Sequence, residues 1–470
     1  MENPKYPGRS CSGLSWSVRT LVVAALVLMA ACRDEEPPPA PPVTSVFEGR
    51  LTVSPEIDDT PDYSGFEVLV AQQDTTGVPD TLGYAVTDTS GAFRMAVTAP
   101  ERGVYPLFIS RRGTMLKAGE LVVAAGDTAS LAAEFPMDAR PLRIRSRENA
   151  AWTAYRNTRA QYNDGLLRLL QQGTSSGEAV GMRVEQTSAI LWSLRETFAG
   201  TVGADVASAE SIAMLDGWND SLLVARAQTI EPSNPSFVEV VRAARRAQAR
   251  LAGQDSALAL VRAFQQRTDD PEQRAGIQSE IVVALSDSLQ RDEAVVAARE
   301  LKRTYAATAW AGWADRAIFE IEHLSPGMPA PGFSLVTRTG EPVSLSGLRG
   351  RFVVLEFYRP EDPDFLRQLP ARNALATAVG ADTLQFVSVS LQPDTLLNDA
   401  FADGRAFPGL HVIAPQGAGS DIARDYNVHA LPTRILIDRE GNVVRKYVGT
   451  TLARLQDDLV ALLVEPRPPA

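Results

Sequence analysis

The chain is almost without sulfur where sulfur would matter. It has two cysteines in 470 residues, Cys11 and Cys32, and nothing after Cys32 carries a thiol. A disulfide framework, a Cys-based zinc site, an iron–sulfur cluster and a thiol nucleophile are therefore excluded from residues 33–470. Histidine is nearly as scarce: His323, His411 and His429 lie far apart and lack the spacing of a metal site. No metal and no cofactor is expected. A basic tract is missing too, and the formal charge is −11, so binding to nucleic acid is not expected. What remains is ordinary globular composition, 45% hydrophobic and 22% charged, which rules out a mostly disordered, collagenous or multispanning chain. At roughly 150 residues per domain the length corresponds to about three domains.

The N-terminus reads as an address. Lys5, Arg9 and Arg19 form a positive region ahead of an apolar run of eleven residues, Leu21 to Ala31. That run falls short of the roughly 20 residues a spanning helix needs, so residues 1–31 are expected to be a signal peptide. The run ends Leu28-Met29-Ala30-Ala31-Cys32. This tail resembles the lipobox of bacterial lipoproteins, with Met29 where Leu is usual. The resemblance implies cleavage before Cys32 and acylation of Cys32, giving a lipid anchor to the cell envelope. Ordinary secretion with cleavage after Ala31 is the plainer alternative. Arg33, not Asp, follows the cysteine. By the lipoprotein sorting rule this favours the outer membrane, on its periplasmic or surface face, over the inner one. Residues 32–43 are proline-rich and are expected to form a stiff spacer.

Beyond the spacer the chain changes character twice. Residues 44–138 contain short apolar or alternating runs, from Val46 to Val53 through Leu121 to Ala124, broken by Ser-Pro, Thr-Ser-Gly and Ala-Gly-Asp turns. Such runs predict a β-sandwich. The turn Asp88-Thr89-Ser90-Gly91-Ala92-Phe93 resembles the D-x-x-G-x-F hairpin of carboxypeptidase-regulatory-like sandwiches and of β domains in envelope lipoproteins. The acidic loop Asp58 to Asp62 lacks the spacing of a calcium loop and is expected to be a solvated turn. Residues 139–323 predict an all-α region: Trp152, Tyr155, Tyr162, Leu166 and Leu169 share a helical face expected to be core. Asp270-Pro271-Glu272-Gln273 reads as a helix start, with Asp270 as cap and Gln273 reaching back. Arg242, Arg245, Arg246 and Arg250 read as the solvated side of one amphipathic helix. The stretch around Val295 to Phe319 resembles one tetratricopeptide helix pair, without a second copy at a fixed period.

Residues 324–466 alternate strands and helices and predict an α/β fold. Strands are expected at 352–358, 384–391, 410–414, 436–438 and 443–448. Helices are expected at 363–379, 420–426 and 451–463. Several segments then match one pattern in order. Gly327 to Leu335 fits G-x-x-A-P-D-F-x-L, with Gly332 for Asp, and Gly340 to Gly350 fits G-K-x-V-S-L-S-D-L-K-G. Val353 to Tyr358 fits V-V-L-x-D-F-W, and Tyr426 to Asp438 fits Y-x-V-x-x-x-P-T-x-F-L-I-D. Together they resemble the thioredoxin-like superfamily, specifically membrane-anchored thiol-disulfide oxidoreductases and their alkyl hydroperoxide reductase relatives. The resemblance implies a cis bond before Pro432. It also implies a groove near Tyr358, Leu431 and Pro432 that takes an extended peptide or an envelope protein.

The redox motif departs from that pattern. Aligning Phe357 and Pro370 with F-W-A-x-W-C-x-x-C-x-x-x-x-P places Asp362 and Phe365 at the two cysteine positions. Thiol exchange needs one thiolate to attack and a second to resolve, and neither is present. Asp362, Pro363 and Asp364 instead read as a helix cap and first turn. Glu356 matches the family's buried acid. Without a thiol to serve it is expected to be a structural acid paired with a cation, although a burial-raised pKa would leave it a candidate acid. Three functions follow. One is a non-catalytic binding or scaffold lipoprotein with no catalytic residue. Another is an envelope redox role, in thiol exchange or peroxide reduction, with a partner supplying the thiols. The last is a carboxylate enzyme using Asp362, Asp364 and Glu356.

Overall fold

The computed structural model describes residues 41–56, 60, 62–73, 79–136, 142–173, 176–449 and 452–464. Residues 1–31, Cys32, most of the spacer, and Asp58, Asp59 and Pro61 lie outside the described residues. The chain divides into two compact units. The first runs to Asn157 and takes in Phe198–Ala204; the second holds Thr158–Thr197 and everything from Asp205 onward.

The first unit carries eight strands: β1 Val43–Val53, β2 Phe66–Gln73, β3 Pro79–Val86, β4 Ala92–Ala99, β5 Gly103–Arg111, β6 Thr114–Val123, β7 Thr128–Phe135 and β8 Arg143–Arg145. They form two four-stranded sheets, β4-β1-β7-β8 and β3-β2-β5-β6. Alternation in β4 sends Phe93, Met95, Val97 and Ala99 inward, against Val68, Val70, Leu107 and Ile109 of the other sheet. The Asp88 turn closes as its residues require. Asp88 Oδ1 accepts from Ser90 N at 2.8 Å, Ser90 Oγ at 2.7 Å and Ala92 N at 3.0 Å. These bonds hold its carboxyl below the usual range, the Ser90 hydroxyl contributing most. Gly91 sits at φ +79°, where a Cβ would fall 2.1 Å from the Leu51 carbonyl oxygen, so only glycine fits. Asp62, at the end of the acidic loop, accepts from Ser64 N in a local turn.

Nine helices are described between the sandwich and the α/β domain: α1 Arg147–Gln171, α2 Gly177–Thr197, α3 Val202–Ala213, α4 Asp220–Ala227, α5 Phe237–Ala252, α6 Gln254–Gln265, α7 Pro271–Asp287, α8 Arg291–Thr304 and α9 Trp310–His323. From α4 onward each packs on the next, and α5 also meets α7 and α7 meets α9. Tyr162, on the predicted aromatic face of α1, is half-buried against the helical core. Asp270 caps α7, accepting from Gln273 N at 2.8 Å. Gln273 does not reach back: the Asp270 N–H donates to Thr268 Oγ1, and the Gln273 side chain accepts from that hydroxyl and donates to the Pro232 carbonyl instead.

The arginines of α5 also correct the sequence reading. Arg250 is exposed and Arg242 and Arg246 are half-buried, whereas Arg245 is buried. Arg242 Nε and Arg245 Nε reach the two oxygens of buried Glu280 at 2.6 and 2.9 Å, and Arg245 also reaches Asp287 at 3.0 Å. Arg246 and Arg250 pair with Asp216, and Arg250 also with Asp220. The polar side of α5 is thus shared between solvent and the carboxylates of Glu280, Asp216 and Asp220.

The C-terminal domain has a small hairpin, β9 Ser334–Val336 with β10 Pro342–Ser344, and a main sheet. That sheet comprises β11 Phe352–Tyr358, β12 Leu384–Ser390, β13 Leu410–Ile413, β14 Thr433–Ile437 and β15 Val443–Val448. The order is β13-β12-β11-β14-β15, with β11, β12 and β13 parallel and β14 antiparallel to β11. Helices α10 Pro363–Val379, α11 Thr395–Asp403, α12 Asp421–Asp425 and α13 Leu452–Val464 complete it. Every residue of β11, β12 and β14 is buried, as expected of strands covered on both faces. No helix among the described residues is long and apolar enough to cross a membrane.

Helix α9 is fastened to this domain. Phe319 packs on the core that contains Val353, Leu355 and Ile437. Asn427, in the left-handed region at φ +49°, donates from Nδ2 to the Arg316 carbonyl and to Glu320 Oε1, both at 3.0 Å. Lys446 bonds the same Glu320 carboxylate and the Asn427 carbonyl. Burial pushes the Lys446 amine below its usual value, and Glu320 opposes that shift.

Candidate functional site

The candidate site lies at the C-terminal end of β11. The apolar strand Phe352 to Tyr358 is interrupted only by Glu356, which is fully buried. Sheet register sets Glu356 opposite Ser388 on β12 and Arg434 on β14, Ser388 opposite His411 on β13, and Arg434 opposite Tyr447 on β15. A polar row thus crosses all five strands on one face of the sheet.

Two guanidiniums hold Glu356. Arg434 Nε donates to Oε1 at 2.7 Å, and Arg372 Nε, from α10, donates to Oε2 at 3.1 Å. Ser388 Oγ donates to Oε2 at 3.1 Å. Burial alone would raise the Glu356 pKa, but the charges of Arg372 and Arg434 outweigh it and hold the carboxyl below its usual value. Glu356 is thus paired with two cations in the interior. Arg372 also donates to the Pro408 carbonyl at 2.5 Å and lies 4.0 Å above the Phe386 ring. Arg434 continues to Gln368 Oε1 at 3.0 Å, while its Nη2 is buried without a partner.

Asp362 caps α10 as its sequence position requires. Its Oδ1 accepts from Asp364 N at 2.8 Å and Phe365 N at 3.0 Å, with Pro363 in the first turn. Such a cap contributes about 1 kcal/mol. Asp364 pairs with Arg367. Phe365 is fully buried and stacks on Tyr358 at 4.4 Å between ring centroids. Phe401 of α11 and Phe407 complete an aromatic cluster around them. Tyr358, expected in the groove, is instead an interior residue, 3% exposed. Its strand turns it toward Phe365, and burial and the Glu356 charge push its hydroxyl well above the usual range. The Leu431–Pro432 bond is cis, as the resemblance implies, with Pro432 buried and Leu431 half-buried against the core.

The structure thus brings Glu356, Tyr358 and Phe365 into the interior and leaves Asp362 at a helix end. It adds Arg372, Arg434, Ser388 and His411, which sequence reasoning missed. The available signal was charge balance: an acid in an all-apolar strand needs a cation, and Arg434 interrupts the apolar strand Ile435-Leu436-Ile437 at its start. Chemically, Glu356 accepts from three buried donors and Asp362 is engaged by backbone amides. Among the described residues no group of His, Asp or Glu side chains could hold a metal ion.

His411 gives the site a pH dependence. Its Nε2 lies 2.7 Å from the Phe407 carbonyl, and burial pushes its pKa below 6.5, with Arg372 and Arg338 adding to the shift and the Phe407 bond opposing it. The folded protein then keeps His411 neutral where the unfolded chain takes up a proton. Stability is fully present above about pH 6.5 and is lost as pH falls from there through the depressed folded value. Urea unfolding between pH 7 and pH 5 should show stability declining with acid, and His411→Gln, which retains a donor, should flatten that slope. An unchanged slope in the variant would remove His411 from this account.

The redoxin family model matches residues 325–461. The thioredoxin-like protein YneN of Bacillus subtilis is 32% identical over 130 residues, which are 27% of this chain and 74% of that protein. The thiol-disulfide oxidoreductase ResA of Geobacillus kaustophilus is 32% identical over 126 residues, 26% of this chain and 70% of the relative. Among solved structures, a putative thiol:disulfide interchange protein DsbE from Chlorobium tepidum is 30% identical, covering 30% of this chain and 99% of its own, with a TM-score of 0.28.

Proposed function

The chain belongs to the redoxin family through residues 325–461, and on that premise we propose that it is a binding or scaffold lipoprotein of the cell envelope with no thiol exchange of its own. One observation carries the reading. The two positions that align with the family's cysteines hold a carboxylate spent on capping α10 and a ring sealed in an aromatic cluster. The neighbouring acid, Glu356, is buried and held between Arg372 and Arg434, whose charges favour its ionised form. What the domain retains is its outer surface around Leu431 and cis-Pro432, suited to an extended peptide or an envelope protein. Lipidation at Cys32 would place that surface at the membrane, in the outer membrane by the Arg33 criterion.

A second reading is favoured by the names of the relatives, several of which are thiol-disulfide oxidoreductases: a part in envelope redox work, with a partner's thiols. Both readings are tested on the purified chain from Cys32 onward. Insulin reduction and peroxide consumption should stay at the no-protein background. Turnover by the chain alone would overturn the scaffold reading, and turnover appearing only with a Cys-bearing envelope partner would favour the second. Labelled fatty acid should tag the wild-type chain in cells and fail to tag a Cys32→Ser variant.

A further inference from the structure

A groove of about 780 Å³ runs over α7 between α6 and α8, remote in sequence from the redoxin domain. Its floor is apolar, with Ile281 and Leu285 from α7. Leu258 of α6 and Val296 of α8 face each other across it, and Val296 is 63% exposed. Carboxamides punctuate the apolar surface. Gln265 and buried Gln278 bond one another across wall and floor at 2.9 Å, whereas the Gln266 and Gln290 side chains make no bond among the described residues.

The charge of the groove is one-sided. Several carboxylates elsewhere in the helical region are matched, Glu280, Asp216 and Asp220 with the α5 arginines, Asp315 with Lys302 and Glu322 with Arg299, while others such as Glu239 and Asp255 are not matched among the described residues. The groove's own Asp292, Glu293 and Glu300 have no ion pair or hydrogen-bonded side chain among the described residues. One cation, Arg262 on the opposite wall, stands against these three acids. Of the α8 cations, Arg299 and Lys302 are drawn off to α9 and Arg291 bonds the Pro326 carbonyl, while Arg303 makes no ion pair among the described residues.

Glu293 and Glu300 stand two turns apart on α8. At about 1.5 Å rise per residue that is roughly 10 Å along the helix. A chain in the polyproline II conformation rises about 3.1 Å per residue with three residues per turn, so side chains three positions apart share a face and span roughly 9 Å. We propose that this groove binds a peptide in the polyproline II conformation carrying two basic side chains three residues apart, lying along α8 with its cations on Glu293 and Glu300. The intervening residues rest on Val296 and the apolar floor. The unpaired carboxamides of Gln266 and Gln290, each both donor and acceptor, are suited to the peptide backbone. Charge complementarity of this kind sets encounter and register and weakens with salt.

The test uses the full chain from Cys32 and a fluorescein-labelled octapeptide with two lysines three positions apart in a Gly/Thr frame. Anisotropy should report saturable binding that weakens as salt rises. Binding should fall at least tenfold with Glu293→Gln/Glu300→Gln and also with Val296→Trp, which fills the groove without changing charge. Both changes lie on the exposed surface, and an unaltered melting curve would show that the fold is intact. Amide exchange should slow on α6 to α8 when peptide is bound. Equal binding to the variants would mean general attraction to an acidic protein and would overturn the proposal. So would equal binding of a peptide with adjacent lysines or with glutamates, or no binding at millimolar peptide. None of these outcomes bears on whether the redoxin domain exchanges thiols.

Discussion

Glu356→Gln should destabilise the C-terminal domain by about 3–5 kcal/mol, the range for removing one partner from a buried ion pair. The side chain is sealed from solvent, and it neutralises two guanidiniums that are themselves buried. Glutamine keeps the volume and one acceptor oxygen but removes the negative charge. Arg372 and Arg434 would then face each other across a neutral amide, and Arg434 already has one nitrogen without a partner. The loss should appear as a lower urea midpoint read on the redoxin domain. Replacing the whole trio, Glu356→Leu with Arg372→Met and Arg434→Met, should recover most of it, because no unpaired charge remains to be buried. If the single variant unfolds like the wild type, the trio is not the fixed ion cluster described above. Acid should act in the same direction as the single substitution. With its pKa held below 4.5, Glu356 contributes stability that is present above that pH and lost as pH falls through the depressed value.

Phe365→Ala should cost about 3–5 kcal/mol, the range for emptying a buried phenylalanine site. Phe365 is wholly enclosed and touches Tyr358, Leu369, Phe401 and Phe407, which come from four different places in the chain. Truncation leaves a cavity bounded by rings, and rings cannot collapse into it without abandoning their edge and stacking contacts. Phe365→Leu should lose much less, since most of the apolar volume stays. Thermal unfolding of the two variants separates these outcomes. Equal, small losses would mean that the aromatic cluster tolerates a void.

Much of the redoxin domain was legible because its signals are local. The limits of β11, α10 and β15 agree with the sequence reading, since a continuous apolar run marks a strand buried on both faces and Asp362-Pro363 marks a helix start. Helix α11 was not read: Thr395 to Asp403 is short, acidic and begins just after Pro393, so it resembles a loop until Phe401 is seen under α10. Strand β7 was missed for a related reason. Its inward positions Ala129 and Ala133 are small where it lies beside β1, and alanine carries little strand signal. The ion trio was illegible because Arg434 is 78 residues from Glu356, and no spacing rule links residues that only sheet pairing brings together. The α5 arginines misled for the opposite reason. Helical periodicity tells which side is polar, but it cannot tell whether that side meets water or Glu280 on a neighbouring helix.

The fastening of α9 to the redoxin domain bears on where this protein can be cut. The family match begins at residue 325, just past the helix. A fragment started there would lack Phe319 and Glu320, uncovering a greasy scar on the sheet and leaving the Lys446 ammonium without its counterion. A portion that keeps this face of the sheet covered therefore begins before Trp310, and a helix outside the family match is in practice the cover of the domain.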